Sequence, residues 1–390
     1  MTTNKFDAFA VTAPGLSKLC AAELRALGMR PEDVSDAGVA FRADAAQLVR
    51  ANLWLRTASR VVVRLAEFRA DAFSQLQKQA EKVNWSRVIA HGQPVTLRVT
   101  CKKSKLIHSG AVAQRVGDAI TRATGAPIVR ASGPEDVDDD APVGPPPQLI
   151  VVRLVRDICT ISADSSGELL PRRGYRQQLA KAPMRETLAA ALLLAAEYSG
   201  DEPLVDPMCG SGTIAIEGAL IARNIAPGIA RPFSCTAWTQ VGAVVTEGER
   251  ARARGAERQA THPIVASDRD AGAVTATLAN AARANVARDL TVSKRALSAL
   301  EAPAGATHGL LATNPPYGAR VGASDELRDL YARLGQVARA KLPGWRVALL
   351  SADRRLEGAT ELTLVEQLRT SNGGIPVRVL TADIAAKVHG

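Results

Sequence analysis

Several devices that would each fix a function are missing from this 390-residue chain. Its five cysteines, Cys20, Cys101, Cys159, Cys209 and Cys235, form no CxxC pair and are odd in number, so neither a disulfide framework nor a zinc site is indicated. The five histidines are equally dispersed, so no metal is expected. No run approaches the roughly 18 consecutive apolar residues of a membrane span, and MTTNKFDAFAVTAPG lacks the basic-then-apolar pattern of a secretory leader. The expectation is a cytoplasmic protein without membrane contact.

Two nucleotide-binding signatures are absent or incomplete as well. The glycine turn Asp206-Pro207-Met208-Cys209-Gly210-Ser211-Gly212-Thr213 carries Thr213 where a P-loop needs lysine, so nothing is supplied to hold β- and γ-phosphates. It is not a strict GxGxxG either, because Ala215 stands three residues beyond Gly212, a small residue that the dinucleotide fingerprint sometimes permits there.

What is present is 46% apolar residues, enough for the cores of two or three domains, and a net charge of +10 with pI near 9.7. That charge favours a polyanion, with nucleic acid first and an anionic membrane surface second. Residues 1–65 read as a small α+β module: strands at Phe6–Thr12, Gly38–Arg42 and Ser59–Leu65, with helices at Gly15–Leu27 and Leu48–Leu55. A second module, 66–165, is expected to hold a helix over Ala72–Val88, a strand over Val95–Cys101, a helix over Ser109–Ala123 and a β-forming run over Leu149–Ile161. Its acidic, proline-rich stretch 131–147 reads as an exposed loop.

Two basic groups are candidate phosphate contacts. Lys102, Lys103 and Lys105 follow the strand at Val95, where the alternative is a solvated strand end. Arg172, Arg173 and Arg176 surround Tyr175 in the connector 166–182, where the alternative is a plain interdomain linker.

From residue 183 to 390, helix and strand alternate as in a doubly wound parallel sheet. The strand Pro203-Leu204-Val205, the glycine turn and a helix from Thr213 to Arg223 make the ligand crevice of such sheets. Asp206, at the strand end, would repel a pyrophosphate and attract a ligand with an amino group or a sulfonium, and S-adenosylmethionine has both. The next strand, Pro263–Ser267, ends in Asp268, whose carboxylate can take both ribose hydroxyls. Asp268 lies 56 residues past Gly212 because of an excursion from about Asn224 to Gln259.

The stretch LATNPPYGAR supplies the other half of a reaction. Two prolines hold the chain extended and free the neighbouring carbonyls, Asn314 adds a side-chain acceptor, and Tyr317 adds a flat ring. If Asn314 and the Pro315 carbonyl each accept one hydrogen of an exocyclic amine, its nitrogen can pyramidalise toward an electrophile with a good leaving group. Asn314, Pro315, Pro316 and Tyr317 are therefore the candidate catalytic group. A strand-end turn is the alternative. Cys209 is then a turn residue and not a nucleophile.

With DPMCGSGT, SDRD and NPPYG in this order, the chain resembles the class I S-adenosylmethionine-dependent RNA methyltransferases that carry a THUMP domain. Within these it is most similar to the bacterial 23S rRNA guanine 2-amino methyltransferases, whose near relatives act on tRNA. SADSSGELLPRRGYR followed by APMRETLAAALL resembles the junction between THUMP and catalytic domains, and NIAPGIARPF followed by Trp238 resembles the family's insertion. The resemblance implies a ferredoxin-like domain at 1–65, THUMP at 66–165 and a Rossmann-like methyltransferase domain at 183–390. It further implies that Asp206, Pro207, Met208, Cys209, Gly210, Ser211, Gly212, Thr213 and Asp268 hold the cofactor. One position departs: Lys294-Arg295-Ala296-Leu297 stands where the family commonly has an acid for the adenine amine. With Gly390 the last residue of the sequence, the expectation is the stand-alone form, without the second methyltransferase fused onto some large relatives. The readings carried forward are guanine 2-amino methylation of 23S rRNA, the same reaction on tRNA, adenine 6-amino methylation, and a non-catalytic RNA-binding assembly factor.

Overall fold

The computed structural model describes residues 5–130, 146–177, 184–317 and 324–386. The loop expected at 131–147 lies almost wholly outside them. In the N-terminal half the order is β1 (Phe6–Thr12), α1 (Ser17–Ala26), β2 (Pro31–Ser35), β3 (Gly38–Ala43), α2 (Ala45–Trp54) and β4 (Ala58–Arg69), then α3 (Phe73–Ala80), β5 (Val95–Lys102), α4 (Ser109–Thr124), β6 (Gln148–Val155) and β7 (Ile158–Asp164). Local chemistry sets several of the ends. Asp44 and Gln47 form a reciprocal capping box at the start of α2, and Gly125 closes α4 in the left-handed conformation.

These strands make one seven-stranded sheet, ordered β2-β3-β1-β4-β7-β6-β5. The two N-terminal modules therefore share a sheet, and β4 runs straight through the expected division at residue 65, pairing with β1 on one side and β7 on the other. Two expectations change in detail. The helix over Ala72–Val88 stops at Ala80 and resumes only as a short 3-10 turn, Trp85–Arg87. The run Leu149–Ile161 is a hairpin, β6 and β7, because Arg156 and Asp157 both take positive φ and turn the chain in two residues.

The C-terminal half continues with α5 (Glu186–Ala195), β8 (Leu204–Asp206), α6 (Thr213–Ala222), α7 (Gly242–Gly255), β9 (Ile264–Asp268), α8 (Ala271–Arg283), β10 (Leu290–Lys294), β11 (Leu310–Thr313), α9 (Ser324–Lys341), β12 (Arg346–Ser351), α10 (Arg354–Ala359), β13 (Val365–Asn372) and β14 (Ile375–Asp383). A second seven-stranded sheet is ordered β10-β9-β8-β11-β12-β14-β13 and is parallel from β10 to β12. Alternate residues of β11 face opposite ways: Leu310 and Ala312 join the core under α5, α6 and α8, and Leu311 joins the core under α9. Both sheet faces are thereby covered, as a doubly wound fold requires.

The excursion between α6 and β9 belongs by packing to the other half. Phe233, Cys235, Trp238, Val241 and Ala253 lie in the N-terminal core, not in that of the parallel sheet. The Trp238 indole donates to Gln148 Oε1 at 2.8 Å and its ring sits 6.0 Å from that of Phe6. Arg50 on α2 pairs with Glu249 on α7 at 2.9 Å. Burial of a side chain such as Phe233 contributes about 2–3 kcal/mol, so these contacts hold the two halves together firmly.

Candidate active site

Strands β8 and β11 lie side by side and parallel, with Leu204 opposite Leu310 and Val205 opposite Leu311. From β8 the chain winds outward through β9 and β10, whereas β11 and β12 lie on its other side. The reversal at β8/β11 opens a crevice beyond the carboxyl ends of both strands, and ligands bind there in open α/β sheets. Asp206 ends one of these strands and Thr313-Asn314 ends the other.

The Asp206 carboxylate is almost fully buried and accepts from the Met208 amide at 3.3 Å and the Thr313 hydroxyl at 3.1 Å, both on Oδ1. Burial, reinforced by the nearby Asp268 charge, pushes its pKa up to about 7, while those two hydrogen bonds pull the other way. A ligand cation beside it would relieve that strain. The turn that follows is shaped for close approach. Gly210 and Gly212 have φ of 54° and 82°, and a Cβ on Gly212 would lie 2.6 Å from the Thr277 methyl.

The turn is tied to the next strand and helix. Asp268 Oδ2 accepts from the Gly210 amide at 3.0 Å, Thr277 donates to the Gly210 carbonyl at 3.0 Å, and Asn280 donates to the Ser211 carbonyl at 2.9 Å. Asp268 Oδ1 takes the Asp270 amide. Its carboxylate thus braces the turn and still has lone pairs for hydroxyls. Ser211 and Thr213 are buried against each other, and the Cys209 thiol, beside Thr277, is pushed by burial up to about 12. Pro207 and Met208 complete the bend.

Across the crevice, Asn314 Oδ1 is buried without a hydrogen-bond partner. Such an orphan acceptor costs about 1–3 kcal/mol unless a donor arrives. Pro315 is buried, Pro316 and Tyr317 are half-buried, and the Tyr317 hydroxyl accepts from Asn372 Nδ2 at 2.8 Å. The structure brings the cofactor and catalytic candidates to one edge of one sheet, where Thr313, the residue before Asn314, donates its hydroxyl to Asp206.

The basic candidates divide. Lys102, the last residue of β5, and Lys103 after it are exposed, and Lys105, also exposed, pairs with Asp71 at 3.0 Å. Arg172 is exposed. Arg173 is not a phosphate contact: it is buried and bonds to Glu217 at 2.6 Å and to the Arg56 carbonyl at 2.8 Å. Arg176 is likewise occupied, by Glu186 and the Met184 carbonyl, both at 2.9 Å. Tyr175, between them, donates to Glu217 at 2.8 Å. This connector is an interdomain lock.

Sequence reasoning missed Thr313, Thr277, Asn280, Glu217 and Asn372. A hydroxyl one residue before Asn314 was the one available signal. The others act on partners between 42 and 69 residues away in the chain, from helix or strand positions with no motif. Among the described residues there is no cluster of metal-binding side chains and no helix long and apolar enough to cross a membrane.

A parallel sheet wound on both sides, with an acid, a glycine turn and an extended Asn-Pro-Pro-Tyr at its switch point, defines a Rossmann-like methyltransferase domain. The chain belongs to the RMKL-like methyltransferase family, whose domain matches residues 173–380; a RlmL ferredoxin-like domain matches 7–62 and a THUMP domain 70–164. It is 36% identical to "Ribosomal RNA large subunit methyltransferase K/L" of Syntrophotalea carbinolica, over 97% of this chain and 53% of that protein. It is 32% identical to "Putative RNA methyltransferase slr0064" of Synechocystis, over 96% of both. The chain thus spans about half the length of the K/L relatives it matches. Among solved structures, "SMU.472, a putative methyltransferase complexed with SAH" aligns over 100% of both chains with TM-score 0.86 and 27% identity. A "predicted N6-adenine-specific DNA methylase" from Listeria monocytogenes aligns over 98% of this chain and 97% of its own, with TM-score 0.84 and 27% identity.

Proposed function

We propose that this protein transfers a methyl group from S-adenosylmethionine to the exocyclic 2-amino group of a guanine in large-subunit (23S) rRNA, in the cytoplasm. The observation that carries the reading is the buried, unpartnered Asn314 Oδ1, one strand away from the acid and the glycine turn. The K/L relatives and the SAH-bound neighbour support it by their names.

The cofactor supplies a methyl group made electrophilic by a sulfonium. Asp206 offers its carboxylate to the amino group, Gly210 and Gly212 leave room for close approach, and the spare lone pairs of Asp268 take the ribose hydroxyls. Asn314 Oδ1 and the Pro315 carbonyl accept the two amine hydrogens, which withdraws the nitrogen lone pair from the ring and aims it into the crevice. Tyr317 stacks on the base. Cys209, its thiol uncharged at neutral pH, takes no covalent part. Lys102, Lys103, Lys105 and Arg172 contact phosphate, which positions the RNA without reading sequence.

An adenine 6-amino group fits the same two acceptors, and the Listeria neighbour carries that description. Incubating the protein with tritiated S-adenosylmethionine and unmodified 23S rRNA or tRNA, then digesting to nucleosides, separates the readings. Label in N2-methylguanosine from 23S rRNA is the expected result; label in N6-methyladenosine, or on tRNA alone, assigns the site elsewhere, and no transfer leaves an RNA-binding assembly factor.

Cofactor affinity should depend on pH through Asp206. With a free-protein pKa of about 7, the carboxyl is protonated below neutrality, and a cationic ligand binds the ionised form. The dissociation constant is therefore expected to weaken about tenfold from pH 8 to pH 6. Calorimetric titration with S-adenosylmethionine checks this, and Asp206→Asn should flatten the profile as well as weaken binding.

A further inference from the structure

The hydroxyl of Tyr317 is held by Asn372, the last residue of β13, at the base of the hairpin whose tip is Gly373-Gly374. Both tip glycines have positive φ, so β13 and β14 meet in a tight two-residue turn that fixes where Asn372 points. β13 is the edge strand of the catalytic sheet, and its free side is not open. Three residues before Asn372, the Arg369 carbonyl abuts Gly15, in the β1–α1 turn of the N-terminal half: a Cβ on Gly15 would lie 1.8 Å from that oxygen. Gly15, at φ 84°, is the one residue type that lets the turn come so close.

We propose that Asn372 is a positioning residue that orients the Tyr317 ring for base stacking, and that the N-terminal half holds Asn372 in place by bracing the β13 edge through the Gly15–Arg369 contact. This rests on the reading of Tyr317 as the stacking face of the base site. Asn372 touches neither base nor cofactor; it acts through the tyrosine. The RNA-binding half then contributes more than affinity. Its docked position sets the geometry of the catalytic aromatic.

The experiment uses the full chain, unmodified 23S rRNA and tritiated S-adenosylmethionine. Asn372→Ala is expected to lower kcat about tenfold, the scale of one lost hydrogen bond, with KM for RNA and cofactor affinity nearly unchanged. Asn372→Asp, whose carboxylate can accept from the same hydroxyl, should restore most of the loss, and only while Tyr317 keeps its hydroxyl. In a Tyr317→Phe background Asn372→Ala should add nothing further. Gly15→Ala should lower kcat in the same way. Gly28→Ala is its control, because Gly28 has φ 76° and nothing within 4 Å of an added Cβ, so it carries the backbone strain without the clash. Additive effects of Tyr317→Phe and Asn372→Ala, or equal effects of Gly15→Ala and Gly28→Ala, would overturn the proposal. If Tyr317→Ala leaves transfer intact, the base-site reading itself fails, which is a separate outcome.

Discussion

Asn314→Ala is expected to reduce kcat by about 10²–10³, the range seen when one preorganised electrostatic partner of a transition state is removed. Cofactor affinity should stay within about twofold, because Asp206, the glycine turn and Asp268 form their bonds without Asn314. Stability should move the opposite way from activity. Oδ1 is buried and unpaired, so its removal relieves an unmet acceptor, and the melting temperature should hold or rise. Asn314→Asp keeps an acceptor and should retain more activity than the alanine variant. Single-turnover transfer assays, calorimetry and thermal melts on the same preparations test all three. A variant that loses activity and stability together would show that Asn314 is a structural turn residue.

The largest expected effect on stability is at Glu217. This carboxylate lies fully buried on α6 and receives Arg173 at 2.6 Å and the Tyr175 hydroxyl at 2.8 Å, with Arg56 at 3.9 Å. Arg56 also donates to the Ile225 carbonyl at 2.8 Å, and its backbone amide donates to Glu23 at 2.7 Å. Burial lowers the Arg56 pKa only to about 10, so the guanidinium stays charged at neutral pH. Removing the anion leaves two buried arginines facing each other. Glu217→Ala is expected to cost about 3–5 kcal/mol, seen as a lower urea midpoint and melting temperature. Replacing the pair together, Arg173→Met with Glu217→Leu, should recover the part of that loss that comes from the uncompensated Arg173 charge, while the buried Arg56 charge still lacks its anion. An unchanged midpoint for Glu217→Ala would mean that the lock is not a stabilising element.

The strands and helices that build the crevice were legible because their apolar periodicity is undisturbed, and the two ligand-bearing turns because Gly, Pro and Asp have narrow uses at strand ends. The joining of the two N-terminal modules into one sheet was not, since β4 reads the same whether one edge or both are paired. Arg173 and Arg176 were assigned to phosphate for a similar reason. An arginine beside a tyrosine has one composition whether it faces RNA or a buried glutamate, and Glu217 sits 44 residues later in a helix whose other residues are almost all apolar. Trp238 was placed by sequence within the C-terminal half, yet its indole partner, Gln148, comes 90 residues earlier. Asn372 gave no sign at all, because an asparagine before two glycines is ordinary hairpin material.

The route of the chain has a practical bearing on anyone who would express the protein in pieces. Because Phe233, Trp238 and Val241 leave the C-terminal half to lodge among β-strands made 60 or more residues earlier, a cut at the connector would strand an oily tab on one fragment and an empty socket on the other. Neither fragment would be a finished object, and sticky, poorly behaved protein is the natural fate of both.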